Sequence, residues 1–532
     1  MTRDATTLGA GLAAARAARP IAPGERIHIV GAAGAGASAA ALLAWHAGGN
    51  PSGCDPGGPS QYTPALEAVD IPLAWAHDAA HVAGPSAPHR LAVTKALTAI
   101  DPDHPELAAA RAAGIPLEPW QQVVADAATG RTLVAVAGTH GKSTTAGWLV
   151  HALVAAGADP AAFVGALLPA AVTGGLPATA RWGSGPFVVE ADEYAGNFDP
   201  YTPAVTVLTS VEWDHPDVFA DTAAVSDAFE RWIRATAAAR AAAGGSPATL
   251  VANVADPNVA ALCRQLRADW PGRLVLTAVV DAPMQRLDGF ARGLADEFAS
   301  VSRGAEPVPV LLGRIAAADT TGTSVELYSR TLLGEPRTIQ LATAGRHNVA
   351  NALGVLGAAR VLDVSADSAL GGVASFQGVG RRLEHKGEAG GVAVYDDYGH
   401  HPTAIRETIA ALRQREPDRR LWAVYEPLTY HRTAAMLDDF AAVLATADAV
   451  AVADIWAGRD PDTTVATAAG LADAVAARRP DITSAAPGSV EATAAWLAGE
   501  VRPGDVVLVM GGGRSYRIGE LLLEDLAARP PA

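Results

Sequence analysis

Two cysteines in 532 residues, Cys54 and Cys263, are too few for a disulfide framework or a thiolate metal site, and a reducing compartment is expected. No run reaches the roughly 18 apolar residues of a spanning helix. The N-terminal stretch MTRDATTLGAGLAAARAARP, which carries Arg16 and Arg19, lacks the continuous apolar core of a signal peptide. Cationic side chains are also in short supply: 40 Lys and Arg face 56 Asp and Glu, a formal charge of −16. That balance argues against nucleic acid or an anionic membrane as the main partner. It leaves room for a nucleotide, because a local glycine loop can overcome the global field. No repeat of solenoid period is visible. A soluble cytoplasmic protein of two to four domains is expected, the chain being too long for one core.

The most informative stretch is GTHGKSTT at 138–145. A short β-capable run, TLVAVA at 132–137, precedes it, and TAGWLVHAL at 145–153 follows with helical periodicity. Strand, glycine loop with Lys and Ser, then helix is a phosphate-binding arrangement. Gly138 and Gly141 let backbone N–H groups approach phosphates, Lys142 supplies a point charge, and Ser143 can hold Mg²⁺. The full P-loop pattern is not met, since its early glycine falls at Val136. The competing reading is a tight strand-to-helix turn with an exposed lysine.

A first strand–glycine loop–helix unit precedes it: RIHIV at 26–30, GAAGAGAS at 31–38, and an Ala/Leu helix to about Trp45. Gly31, Gly34 and Gly36 approximate a dinucleotide fingerprint with shifted spacing. Residues 50–64 read as loop, 65–125 as alternating short strands and helices, and 126–131 as a boundary. Further strands are expected at 186–190, 205–209 and from 391. Residues 281–310, with mixed charge and little periodicity, read as an insertion. A helix is expected at 348–362.

Polar constellations fall at the ends of these runs. EADE at 190–193 offers Glu190 as a ligand for a hard cation, or forms a solvated acidic turn. EWDH at 212–215 offers His215 as a second ligand, or a structural histidine. GRHN at 345–348 offers His347 and Asn348 to a base edge, or an Asn348 helix cap. Arg381 and Arg382 suit developing phosphate charge, or an interdomain salt bridge. DDYGHHP at 396–402 packs acids, a Tyr and two His after a strand. In YEPLTYHRT at 425–433, Tyr430 and Arg432 suit a carboxylate, or stand exposed.

In order and approximate spacing, GTHGKSTT, EADE, the DH of EWDH, GRHN, RRLE and DDYGHHP resemble the Mur ligase family, ATP-dependent amide-forming enzymes of peptidoglycan synthesis. The likeness covers roughly residues 25–525. It implies a three-domain α/β fold: a Rossmann-like UDP-binding domain at 25–127 after an extension at 1–24, a central P-loop ATPase domain with a mostly parallel sheet at 128–380, and a C-terminal Rossmann-like, amino-acid-binding domain at 381–532. It further implies ATP and Mg²⁺ as cofactors, UDP-N-acetylmuramate and a small amino acid as partners, and a monomer or homodimer.

Carried onto this sequence, the family's roles place ATP on Gly138, Thr139, His140, Gly141, Lys142, Ser143, Thr144, His347, Asn348, Arg382 and Asp397. Ser143, Glu190 and His215 would hold metal, and Lys142, His215, Arg382 and His400 would serve catalysis. The UDP-sugar would lie on Gly31, Gly34, Gly36, Ser38 and Asp55, and the amino acid near His400, Tyr430 and Arg432. Within the family, the loop HIVGAAGAGAS and the pair GVGRRLE and DDYGHHPT are most similar to the branch that adds L-alanine. Tyr194 and EWDHPDVF lean toward the branch that adds a ready-made peptide. Leu428 stands where a His is usual and MGGGRSYR where a Gly-Asp pair is common. These departures motivate a third possibility, a Mur-like nucleotide-binding regulator without ligase activity. Residues 216–240 contain no Lys, which fits the alanine branch.

Overall fold

A computed structural model describes residues 8–266, 270–301, 307–458, 460 and 462–529. Residues 1–7 of the expected extension and 302–306 of the expected insertion lie outside the described residues. Among the described residues the strands form three sheets, each packed against helices.

The first sheet holds β1 (Arg26–Val30), β2 (Asn50–Cys54), β3 (Leu73–Ala74), β4 (Arg90–Val93) and β5 (Leu117–Pro119). All are parallel, in the spatial order β3-β2-β1-β4-β5. The order reverses beside β1, so the crevice at its carboxyl end opens on the glycine loop at 31–38. The described part of the N-terminal extension is bound to this unit. Ala13 N–H donates to Leu117 O, and Arg16 pairs with Glu118 and Asp126. The fully buried Arg90 joins the same carboxylates, which compensates a charge that could not otherwise be buried.

The central sheet comprises β6 (Leu133–Ala137), β7 (Ala161–Leu168), β8 (Ala178–Arg181), β9 (Phe187–Ala191), β10 (Val205–Leu208), β11 (Thr249–Asn253), β12 (Arg273–Val279), β13 (Val310–Asp319), β14 (Gly322–Tyr328) and β15 (Arg337–Leu341). Its order is β15-β14-β13-β12-β11-β10-β6-β9-β7-β8, parallel from β13 to β7 with antiparallel strands at both edges. The parallel strands are buried on both faces and read as near-continuous apolar runs such as LVAVA and FVVEA.

Residues 281–310, expected as an insertion with little periodicity, carry a regular helix within their described part. This helix, Leu287–Phe298, carries the chain from β12 to its parallel neighbour β13. A parallel pair needs such a crossover. Leu287 and Phe298 are buried, and Ala291, Leu294 and Ala295 pack against the same core, which is a helical period.

The third sheet comprises β16 (Glu384–Ala389), β17 (Val392–Asp397), β18 (Arg420–Glu426), β19 (Ala449–Ala453), β20 (Thr483–Gly488) and β21 (Asp505–Gly511), ordered β16-β17-β21-β18-β19-β20. Only β16 is antiparallel. Among the described residues no helix is long and apolar enough to cross a membrane.

Candidate active site at the domain junction

The loop at 138–141 leaves the carboxyl end of β6 between β10 and β9, where the central sheet changes winding direction. Gly138 has φ +129°, and a Cβ there would lie 2.2 Å from Thr209 Oγ1; at Gly141, φ +79°, it would meet Asn351 Oδ1 at 2.6 Å. Both glycines are therefore dictated by the fold. Thr139 spends its N–H on Ser210 O and exchanges hydrogen bonds with the Glu212 backbone through Oγ1. His140 donates its N–H to Ser210 Oγ, and its Nε2 lies 2.9 Å from Glu212 Oε2. These two residues, expected to touch ATP, brace the loop on the end of β10 and also line the first cavity. The free donors belong to the first turn of helix Lys142–Ala155, at Lys142, Ser143 and Thr144.

Around that helix start the structure gathers the expected charges. Lys142 Nζ donates to Glu193 Oε2 (2.9 Å) and Gly138 O (2.7 Å) and lies 3.8 Å from Asp192. Burial works against the ammonium, but Glu193 and Asp192 outweigh it and hold Lys142 charged. Burial pushes the Glu193 carboxyl up to about 7, against the pull of Lys142. Ser143 Oγ donates to Glu190 Oε1 at 2.9 Å, and Glu190 Oε2 accepts from Gly165 N–H at 2.6 Å. From the third sheet's side, Arg382 Nη2 donates to Ser143 Oγ at 2.8 Å. Its neighbour Arg381 is committed within the C-terminal unit, to Asp396, Gly511 O and Ser515. Only one of the two arginines therefore reaches the phosphate loop.

Two cavities flank the loop. The first, of about 300 Å³, is lined by Lys142, Ser143, Glu190, His215, Arg382, His400 and Arg432, among others. The second, of about 290 Å³, is lined by Thr144, His347, Asn348 and Asp397. His140, Gly141 and Arg382 border both. Helix Arg346–Val361 is capped by Gly345 rather than Asn348, whose amide donates to Ala344 O. Asp397 accepts from Leu383 N–H and Gly399 N–H and so fixes the turn that presents Arg382.

On the acceptor side, Arg432 is buried and its guanidinium contacts Asp214 and His215. His400 Nδ1 sits 2.9 Å from Tyr398 O, and burial, then Arg432, hold its ring neutral well below the usual histidine range. Leu428 lines the first cavity and makes that wall apolar. Tyr430 is half-buried and lines neither cavity, so the structure does not bring it to the site. Sequence reasoning passed over Asp192, Glu193 and Asp214, although they stood inside the quoted EADE and EWDH. It also missed Gly165 and Asn351, which lie in unremarkable runs.

At the other glycine loop, Gly31 (φ +80°) and Ala32 donate to Cys54 O, while Asp55 accepts from Ala33 and Gly57. Asp55 thus shapes the loop with both oxygens. Gly34 begins helix Ala35–His46, whose first-turn N–H groups remain available to an anion. Gly36 borders the first cavity and allows Trp120 to pack close; a Cβ would lie 2.3 Å from its ring. Ser38 does not face the loop mouth. It is fully buried, with its hydroxyl on Ala35 O and Thr179 Oγ1.

The sequence profile described as Mur ligase family, catalytic domain, matches residues 26–132, and that described as Mur ligase, glutamate ligase domain, matches 381–513. A UDP-N-acetylmuramate–L-alanine ligase from Roseiflexus sp. is 35% identical over 94% of this chain and 98% of its own. The solved UDP-N-acetylmuramate-alanine ligase of Thermotoga maritima superposes with a TM-score of 0.71 at 21% identity, over 94% of this chain and 98% of that one. A murein peptide ligase from Psychrobacter arcticus gives 0.69 at 23% identity, over 96% and 100%. These two likenesses are of fold.

Proposed function

The chain belongs to the Mur ligase family, and from that premise we propose that it joins L-alanine to UDP-N-acetylmuramate at the expense of ATP. The observation that carries this reading is near-full-length similarity to ligases of that name, on a chain whose phosphate loop, acidic strand ends and C-terminal arginines meet at one junction. The γ-phosphoryl group passes from ATP to the muramyl carboxylate. The amine of the amino acid attacks the resulting acyl phosphate, and phosphate leaves from a tetrahedral intermediate. Such a sequence asks for positioning and charge neutralisation rather than covalent catalysis.

Lys142 and the first-turn N–H groups bind the nucleotide's phosphates, with Glu193 as the counter-ion that keeps Lys142 charged and placed. His347 and Asn348 line the cavity for the base. Arg382 reaches the transferring phosphoryl from the C-terminal side. Ser143 Oγ and Glu190 Oε1, 2.9 Å apart, are the hard oxygen donors that Mg²⁺ prefers, and His215 with Asp192 and Glu193 forms a second group within ligating distance. Bound there, Mg²⁺ supplies neutralisation of phosphate charge. His400, kept neutral, can accept a hydrogen bond from the incoming amine. Three units contributing to one site imply closure on binding.

The test is ADP and phosphate release with UDP-N-acetylmuramate against L-alanine, glycine, L-serine and the tripeptide L-alanyl-γ-D-glutamyl-meso-diaminopimelate. L-Alanine should be the best acceptor, glycine and L-serine weaker. The second reading, a peptide ligase, rests on the likeness of Tyr194 and EWDHPDVF to that branch; the Tyr194 hydroxyl donates to Asp217 and its ring packs 4.8 Å from His215, beside the site. Turnover with the tripeptide and none with L-alanine would select it. No ATP turnover with any acceptor would select the regulator.

A further inference from the structure

Behind the first glycine loop, four side chains from four different elements turn their ligand atoms toward one point. They are His28 in β1, Cys54 at the end of β2, His81 in the turn Ala79–Val82, and Glu106 in helix Pro105–Ala113. His28 pairs in register with Ser52, and Val30 with Cys54, so His28 and Cys54 share one face of the sheet. Cys54 Sγ lies 3.1 and 3.2 Å from the Glu106 oxygens. His81 Nδ1 is 2.9 Å from Glu106 Oε1, and His28 Nε2 is 3.4 Å from Oε2. One ligand atom from each residue falls within 4.8 Å of all the others.

We propose that this cluster is a structural zinc site of the first domain. A tetrahedral Zn²⁺ with bonds of about 2.0–2.3 Å holds its ligand atoms roughly 3.3–3.7 Å apart; the contacts to Glu106, at 2.9–3.4 Å, are close to that range, and the remaining ligand atoms lie within 4.8 Å of one another. One thiol, two imidazoles and a carboxylate form a closed four-ligand set of the kind Zn²⁺ takes, and nothing like the all-oxygen set of Mg²⁺.

A second observation points the same way. His28 is 3% exposed, yet its Nε2 makes no well-aligned hydrogen bond and faces only the Glu106 carboxylate, 3.4 Å away; its Nδ1 is taken by Ser52 Oγ at 2.9 Å. That is the arrangement of a metal-ligating histidine, with one nitrogen held by an outer partner and the other left for the ion. His77 Nδ1, 3.2 Å from Cys54 Sγ, stands by as an alternative ligand.

Binding would displace the thiol proton of Cys54, which burial beside Glu106 otherwise keeps in place. The ion would join β1, β2 and the segments that cover them. Because Cys54 O accepts from Gly31 and Ala32, it would stiffen the loop proposed to face the sugar nucleotide. The site does not depend on the ligase reading.

The test uses the full-length, tag-free chain, incubated with Zn²⁺ in excess Mg²⁺ and passed through gel filtration before metal analysis. About one zinc per chain should be retained by the wild type and lost from Cys54→Ser and His81→Gln. Replacing Zn²⁺ with Co²⁺ should give a thiolate-to-cobalt charge-transfer band that persists in Cys263→Ser and disappears in Cys54→Ser. That band is specific to this cluster, since the junction site contains no cysteine. If the Cys54 variant fails to fold, the band in Cys263→Ser, whose one remaining thiol is Cys54, decides. Wild-type protein that retains no zinc, or a Co²⁺ spectrum without thiolate charge transfer, would overturn the proposal.

Discussion

Arg432 and Asp214, 218 residues apart, form a buried pair in which Nε and Nη2 both donate to Oδ1, at 3.0 and 2.7 Å. The same Nη2 lies 3.2 Å from His215 Nδ1. Burial disfavours the carboxylate, but Arg432, together with His215, His400 and His401, holds Asp214 well below the usual range. The guanidinium expected to await a substrate carboxylate is thus already engaged, and it ties the C-terminal unit to the motif that ends near β10.

Arg432→Ala should therefore do more than raise the amino-acid KM. It leaves a buried Asp214 uncompensated, a loss of about 3–5 kcal/mol in comparable pairs. Thermal unfolding should show a clear drop, with kcat falling alongside the KM effect. Asp214→Asn added to Arg432→Ala should recover part of the stability and none of the activity. A rise in KM alone, with the melting temperature unchanged, would mean that the pair does not form in the free protein.

Lys142→Ala should reduce ATP turnover by about 10²–10³ or more, the scale for losing one preorganised charge on a reacting group. Its circular dichroism should stay near wild type and its melting curve should move less than that of Arg432→Ala, because the loop is held by Thr139, His140 and the two glycines, and the Glu193 carboxyl, already pushed up to about 7, can take up a proton when Lys142 is lost. Near-normal turnover would make the loop purely structural.

Ser143→Ala, Glu190→Ala and His215→Ala should each raise the Mg²⁺ concentration needed for half-maximal activity, since each removes a metal ligand. Ser143→Ala also removes the acceptor of Arg382. Superimposable Mg²⁺ titrations for Glu190→Ala and His215→Ala would exclude the metal role.

His401 predicts an acid-labile junction. Burial first, then the neighbouring His140, bring its ring from 6.5 down to about 4. Above pH 6.5 the ring is neutral both folded and unfolded, and its contribution is complete. Between 6.5 and 4 only the unfolded chain takes up the proton, so stability falls as the pH falls. Glu193, pushed up to about 7, has the opposite sign over part of that window. The difference between wild type and His401→Asn is therefore the measurement. Asn keeps an acceptor for Thr403 N–H at the helix start. The wild-type stability curve should be steeper by up to about 1.4 kcal/mol per pH unit between 4 and 6.5. Parallel curves would refute the assignment.

The local rules of the chain were enough to read its elements. RIHIV is β1 residue for residue, and the strand expected at 132–137 is β6 at Leu133–Ala137. The glycine loops and the candidate residues Lys142, Ser143, Glu190 and Arg382 stand out from strand, loop and helix patterns with short polar tails, whereas the three-domain α/β organisation came with the family resemblance. Two segments were misread: the loop expected at 50–64 opens with β2, whose Pro, Ser and Gly hide a strand set by pairing with β1, and 281–310 carried a helical period in Leu287, Ala291, Leu294, Ala295 and Phe298, masked by the charged residues on its exposed face.

What sequence alone determined is therefore everything whose cause lies within a few residues: alternation, helical period, glycine at a positive φ, and a polar group at a strand end. Only the tertiary structure decided partnership. Sheet order brings β9 and β10 to either side of β6, so Glu193 meets Lys142 and Glu212 meets His140. Domain docking commits Arg432 to Asp214 and sends Arg382, but not Arg381, to Ser143. The same logic brings Cys54, which counted for nothing in the composition, together with His28, His81 and Glu106. Electrostatic and coordination contacts depend on distance in space, and distance in the chain carries almost no information about it once the separation exceeds a turn of helix or a hairpin.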